Sequence, residues 1–244
     1  MRTSRDLSLS VVLLSVIPAL HSGLPASASV NLLRGTTRAA EARQAQGPGS
    51  NAGQGTHAVQ APPLQAPAPA PAPGNPVAIV STSLGDITIE LFNDRAPVSV
   101  ENFLQYARDD FYRDTVFHRV KAGFMIQGGG YSASLAEKPT RAPIQNEATN
   151  GLRNTRGTVA MARMAALRSA TAQFYINVVD NRRLDHTGYA PDEFGYAVFG
   201  RVLSGMDVVD RIAAVPTRST AAMDDVPVEP VIIKSVTVQK EPRM

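Results

Sequence analysis

The chain has 244 residues, 18% of them charged, a formal net charge of +3 and no cysteine, which excludes a disulfide framework and a thiolate metal site. The charge excess lies outside the expected folded part: from Val77 onward 19 Lys and Arg face 19 Asp and Glu, while the residues before it carry five Arg against Asp6 and Glu41. A neutral domain lacks the basic footprint that a phosphate backbone requires, so no nucleic-acid partner is expected.

At the N-terminus Arg2 and Arg5 precede a mostly apolar run over 7–20, followed by small residues that include Ala26-Ser27-Ala28. This is the pattern of a secretory signal, so residues 1–28 are expected to be a cleaved signal peptide. The alternative is a membrane tether left uncleaved, but about 14 residues interrupted by Pro18 fall short of the ~20 needed to span. No integral span is expected in the mature form. Residues 29–76 read as a linker rich in Ala, Pro and Gly. No charged residue occurs over 44–85, and 61–76 is nearly pure Ala and Pro. Such a segment has too little apolar surface to offset the entropy of ordering. It is expected to be disordered, with the Ala-Pro alternation acting as a semi-rigid polyproline spacer of ~3.1 Å per residue.

Residues 77–244 are expected to form one domain. Two apolar runs over 77–92 flank Ser83-Leu84-Gly85-Asp86, and Ile87-Thr88-Ile89-Glu90-Leu91 alternates with period two, which predicts a β-hairpin. Val100, Phe103, Leu104 and Ala107 follow Pro97 at helical spacing, with the proline at a tolerated first-turn position. Short β-rich runs come next at 117–120, 124–127, 158–162, 174–178 and 197–202. A second helix is predicted over 206–214, stopping before Pro216, and a last strand over 231–238. Many short strands with only two helices point to an all-β sandwich or a closed barrel. The loop over 128–157 is too long to be idle in a compact domain.

The chemistry concentrates in 117–130, Phe-His-Arg-Val-Lys-Ala-Gly-Phe-Met-Ile-Gln-Gly-Gly-Gly. Arg119, taken alone, is ordinarily a strand arginine reaching solvent or a carboxylate. His118 beside it must point to the opposite face of a strand and is read as structural. Phe124 and Met125 would also oppose each other on a regular strand, so both can line one pocket only if Gly123 or the glycine run bends the backbone. The glycine run lacks the Gly-Lys-Ser/Thr ending of a phosphate cradle. Gln173 and Tyr175 share one face by period two, which pairs a second amide with a second aromatic. No metalloprotease helix, paired zinc ligands or nucleophile elbow occurs, so hydrolase readings lack their parts, and neither metal nor cofactor is expected.

Several segments, in order, resemble the cyclophilin-type peptidyl-prolyl cis-trans isomerases. They are Ala96-Pro97-Val98-Ser99-Val100-Glu101-Asn102-Phe103, Phe117-His118-Arg119-Val120, Gly123 with Phe124-Met125-Ile126-Gln127 and the glycines, Gln173-Phe174-Tyr175-Ile176, Leu184-Asp185 and Val198-Phe199-Gly200. Asn146-Glu147-Ala148, Asn150-Gly151-Leu152-Arg153-Asn154-Thr155-Arg156-Gly157 and Phe194-Gly195-Tyr196-Ala197 resemble the bacterial periplasmic branch. The resemblance implies a mainly β fold, an eight-stranded antiparallel closed barrel capped by two α-helices, with a proline site on its outer face. It implies that Arg119 and Gln127 are catalytic, that Phe124, Met125 and Leu184 wall the proline pocket, and that Ala162 and Gln173 touch the peptide backbone. Tyr175 stands where many members have Phe, Tyr196 where eukaryotic members carry His, and Arg183 where cyclosporin-sensitive members carry Trp. The expected protein is thus a periplasmic, monomeric isomerase acting on proline-containing polypeptides. The competing function is a proline-peptide-binding chaperone module with weak catalysis or none.

Overall fold

The computed structural model describes residues 70–239. The expected signal peptide and all but the end of the expected linker lie outside the described residues.

The predicted hairpin is present as β1 (Val77–Thr82) and β2 (Gly85–Leu91), in register from Val77 opposite Glu90 to Thr82 opposite Gly85. Period-two alternation sends Ala78, Val80, Ile87, Ile89 and Leu91 wholly into the core. The helix α1 (Pro97–Arg108) follows and buries Val100, Phe103, Leu104 and Ala107. Next come β3 (Thr115–Val116), β4 (Arg119–Lys121) and β5 (Met125–Gly128), then β6 (Thr158–Met161), β7 (Phe174–Asn177) and β8 (Val198–Ser204). Helix α2 (Met206–Ala213) is followed by the short pair β9 (Thr217–Arg218) and β10 (Val226–Pro227), which the sequence reading did not foresee, and by β11 (Ile232–Gln239).

Nine of these strands form one sheet in the order β3-β11-β1-β2-β8-β6-β7-β5-β4, with every pairing antiparallel. The expected count was eight. The extra strand is β3, just ahead of the run 117–120 that was expected to be one strand; within that run β4 starts only at Arg119, after Phe117-His118. There the Phe117 amide still donates to Val231 O (2.9 Å), in line with the β3–β11 register, and both side chains are buried. β3 pairs with β11 while β4 pairs with β5, so β3 and β4 taken as one broken stave return the sheet upon itself. The curled sheet is thus joined at its two edge strands by the covalent chain at that break, with no ladder between them.

An aromatic cluster fills the interior. Phe103 from α1 lies 5.1 Å from Tyr112, 5.5 Å from Phe174 and 5.6 Å from Phe199, measured between ring centroids. Val208, Val209 and Ile212 of α2 are buried as well. The long loop is packed rather than idle. Ala96 offers α1 no side-chain cap, and the Glu147 carboxylate supplies one from the loop. It accepts from the amides of Val98 (3.0 Å) and Ser99 (2.8 Å) and from Ser99 Oγ (2.7 Å). These are the orphan donors that every helix start leaves exposed. Among the described residues no helix is long and apolar enough to cross a membrane.

Candidate active site

The strand register assembles the site. Arg119 on β4 stands opposite Gln127 on β5, Gln127 opposite Tyr175 on β7, and Tyr175 opposite Ala160 on β6. Directly opposed residues share a face of the sheet. Their neighbours Val120, Ile126, Ile176 and Val159 point inward to the core, so this row faces outward. Met125, two residues from Gln127, joins the same face.

Phe124 would oppose Met125 on a regular strand. It lies just ahead of β5, after Gly123, whose φ of +66° turns the backbone in a way a residue with a Cβ resists. Phe124 therefore packs into the same outer cluster as Met125, Ala160, Tyr175 and Val198. Ala162, Leu184 and Tyr196 pack partly buried against it. The pocket residues expected from the sequence are thus brought together, and the bend falls at one of the two places foreseen. The Phe124 carbonyl accepts from Val178 N (3.1 Å) and Asn181 Nδ2 (2.8 Å), which fixes that wall.

The polar side of the hollow is held from behind. Gln127 Nε2 donates to Gln173 Oε1 at 2.9 Å. Gly130 makes room for this pair, since a Cβ there would stand 2.5 Å from Gln173 Cγ. The Gln173 carbonyl accepts from Ala162 N (3.0 Å). Arg119 is about one-third exposed (34%), and its Nε donates to Asp225 Oδ2 at 3.4 Å. Among the described residues its Nη atoms have no hydrogen-bond partner. Asp225, at φ +60°, also accepts the Val120 amide on its own carbonyl (2.8 Å) and so grips β4 twice.

Tyr175 is buried within the outer cluster. Its hydroxyl donates to Asn154 Oδ1 (2.7 Å), and Tyr196 meets its ring edge-on at 5.9 Å. Burial pushes the Tyr175 phenol well above its ordinary range, so it is a neutral donor. Asn154 in turn donates from Nδ2 to Leu184 O (3.1 Å), and the Tyr196 amide donates to the same carbonyl (3.0 Å). One asparagine thereby ties Tyr175 to the Leu184 wall.

His118 lies off this row. It is 5% exposed, its ring sits 4.6 Å from that of Tyr131, and its Nδ1 is buried with no partner. Burial, helped by the Arg119 charge next door, lowers its pKa to about 4. Two supporting residues escaped the sequence reading. Asn154 had a signal, because a phenol substituted into a buried pocket demands an acceptor. Asp225 had none, since it arrives through the β9–β10 connection, 106 residues along the chain from Arg119.

Comparison with known proteins agrees with this geometry. Residues 77–238 match the family described as cyclophilin type peptidyl-prolyl cis-trans isomerase/CLD. The chain is 56% identical over 159 residues to peptidyl-prolyl cis-trans isomerase B of Escherichia coli (strain K12), covering 65% of this chain and 97% of that one. It is 55% identical over 159 residues to peptidyl-prolyl cis-trans isomerase cyp18 of Streptomyces antibioticus, covering 65% and 96%. A crystal structure of a cyclophilin type peptidyl-prolyl cis-trans isomerase from Cryptosporidium parvum superposes with a TM-score of 0.56 at 24% identity, covering 69% of this chain and 99% of that one, a likeness of fold. The family match spans the barrel from β1 into β11, every residue of the outer row included, and on that basis the chain belongs to the cyclophilin-type peptidyl-prolyl cis-trans isomerases.

Proposed function

We infer that this chain accelerates cis-trans isomerisation of X-Pro peptide bonds and that Arg119 stabilises the twisted bond. The observation that carries the reading is the outer row: a guanidinium and an amide directly opposed, beside the apolar cluster of Phe124, Met125, Tyr175 and Leu184. Rotation about the peptide bond meets a barrier of ~18–20 kcal/mol because amide resonance is lost. As the bond twists, the nitrogen becomes pyramidal and its lone pair localises. A guanidinium N–H aimed at that lone pair gains strength only in the twisted state, so it lowers the barrier rather than merely tightening binding. Asp225 occupies Nε, and the Nη donors have no partner among the described residues. The apolar walls fix the prolyl ring while the rest of the peptide rotates. Gln127, steadied by Gln173, orients the guanidinium and the substrate, and Ala162 and Gln173 offer backbone contacts. Tyr196 borders the same hollow. The chemistry requires neither proton transfer nor nucleophile.

Exchange spectroscopy on an Ala-Pro test peptide checks this. Catalytic amounts of the protein are expected to bring the exchange, which takes tens of seconds or more unaided, onto a sub-second scale. Exchange unaltered at protein concentrations that saturate the peptide contradicts it and favours a binding module.

We further propose that the protein is exported to the periplasm by residues 1–28 and works as a monomer. The Arg-flanked apolar run and the small residues at 26–28 support export. Intact mass from cell fractions is expected to show a periplasmic species beginning just after Ala28, and a cytosolic full-length species contradicts this. Sedimentation at micromolar concentration is expected to give the monomer mass.

A further inference from the structure

Two aromatic walls of the outer hollow each carry a guanidinium. Arg183 Cζ lies 4.5 Å from the Phe124 ring centroid, and Arg163 Cζ lies 4.8 Å from that of Tyr196. Neither forms an ion pair among the described residues. Arg163 directs its donors to the carbonyl oxygens of Gly195 (3.0 Å), Met164 (3.0 Å), Ala165 (3.3 Å) and Pro191 (3.0 Å), which hold the side chain but leave its charge uncompensated. Arg183 is exposed and has no hydrogen bond among the described residues. Asp185 and Asp180 keep their charge while accepting from neutral amides, Asn154 N (2.7 Å) and Arg156 N (2.9 Å), and neither forms an ion pair with a rim guanidinium. Elsewhere Arg108, Arg113, Arg141, Arg156, Arg201 and Arg211 each pair with a carboxylate, while Arg95, Arg153, Arg168, Arg182 and Arg218 form no ion pair among the described residues. What distinguishes Arg183 and Arg163 is their seat against the two aromatic walls.

We propose that this rim selects X-Pro segments carrying an acidic side chain within two residues of the proline, with Arg183 and Arg163 as specificity residues. The inference rests on the isomerase reading and adds a substrate class to it. The aromatic faces pre-position both guanidiniums, so little side-chain entropy is lost when a carboxylate arrives. The preference also separates substrates from the chain's own linker. The Ala-Pro repeat over 61–76 is rich in X-Pro bonds but sits within a stretch of 44–85 that carries no charge, so it gains nothing from the rim.

The test uses the full chain and peptides identical except for Glu, Ala or Lys at one position flanking the proline, scanned over the two residues on either side. At the best position kcat/KM is expected to fall in the order Glu, Ala, Lys. Each rim arginine contributes about two- to fivefold, as a solvent-exposed ion pair does. The Glu-to-Lys ratio is expected to shrink toward one at 1 M salt, where screening extends to ~3 Å. Arg183→Glu is expected to reverse the order at that position, and Arg183→Gln to lower the ratio at least about twofold. Equal kcat/KM for Glu, Ala and Lys at every position overturns the proposal while leaving the isomerase reading intact. So does a ratio unmoved in a folded Arg183→Glu or Arg183→Gln protein. Failure to isomerise any peptide overturns the isomerase reading and the proposal with it.

Discussion

His118 and Arg119 are adjacent in the chain yet occupy opposite environments, and the difference has a measurable consequence. Arg119 stands on the outer row with its Nε on Asp225, while His118 is buried against Tyr131 with Nδ1 unpartnered. Burial lowers the His118 pKa to about 4, from an unfolded value near 6.5. The unfolded chain therefore binds more protons than the folded one between those values. The stability His118 contributes is present above pH 6.5 and is lost as pH falls to about 4, an effect on the order of 3 kcal/mol. Urea midpoints at pH 7 and pH 4.5 check this: wild type is expected to lose distinctly more stability than His118→Phe, and parallel losses contradict it. Alternation alone placed His118 opposite Arg119. It also stated the condition under which Phe124 and Met125 could share a pocket, and Gly123 meets that condition. The partners that aim these residues were less accessible to the sequence, because Asp225 and Asn154 act by tertiary proximity with no local pattern around them.

At the scale of elements, regular amphipathic segments were the legible ones. α1 showed its buried stripe of Val100, Phe103, Leu104 and Ala107, and β1 and β2 showed strict alternation. What caps α1 did not show, because Glu147 lies 48 residues further along the chain than Ser99 and reaches back through an irregular loop. A carboxylate accepting from the Val98 and Ser99 amides also meets the positive end of the helix dipole. Glu147→Ala is expected to destabilise the domain by about 2 kcal/mol, at the upper end for loss of a cap. Glu147→Gln, which keeps an acceptor oxygen, is expected to cost about half as much. Chemical denaturation with both variants checks the order, and equal stability of all three proteins contradicts the capping role. The pair β9–β10 was illegible for a different reason: Thr217 and Arg218 are exposed and β10 is two residues long, so no periodicity could develop. The break between β3 and β4 was hidden because Phe117 and His118 continue a β-like composition across it.

At the scale of the whole molecule, the site exists only once the sheet is assembled. Arg119, Gln127, Tyr175 and Ala160 come from four different strands and become one row through the order β6-β7-β5-β4. The sequence could name these residues through family resemblance, and alternation could place Gln173 and Tyr175 on one face. Their alignment across strands depends on register, which no single strand encodes. Folding also brings the connection after β9 up to β4, where Asp225 takes Arg119 Nε. The central claim is that this arrangement points a guanidinium at the prolyl nitrogen and that its effect is felt in the twisted state. The most direct measurement is kcat/KM for X-Pro isomerisation by Arg119→Ala, set beside its thermal melt and its affinity for the same peptide. The expected result is a fall of about 10²- to 10³-fold in kcat/KM, with melting temperature and peptide affinity nearly unmoved. Activity within about twofold of wild type in a folded Arg119→Ala protein contradicts the account.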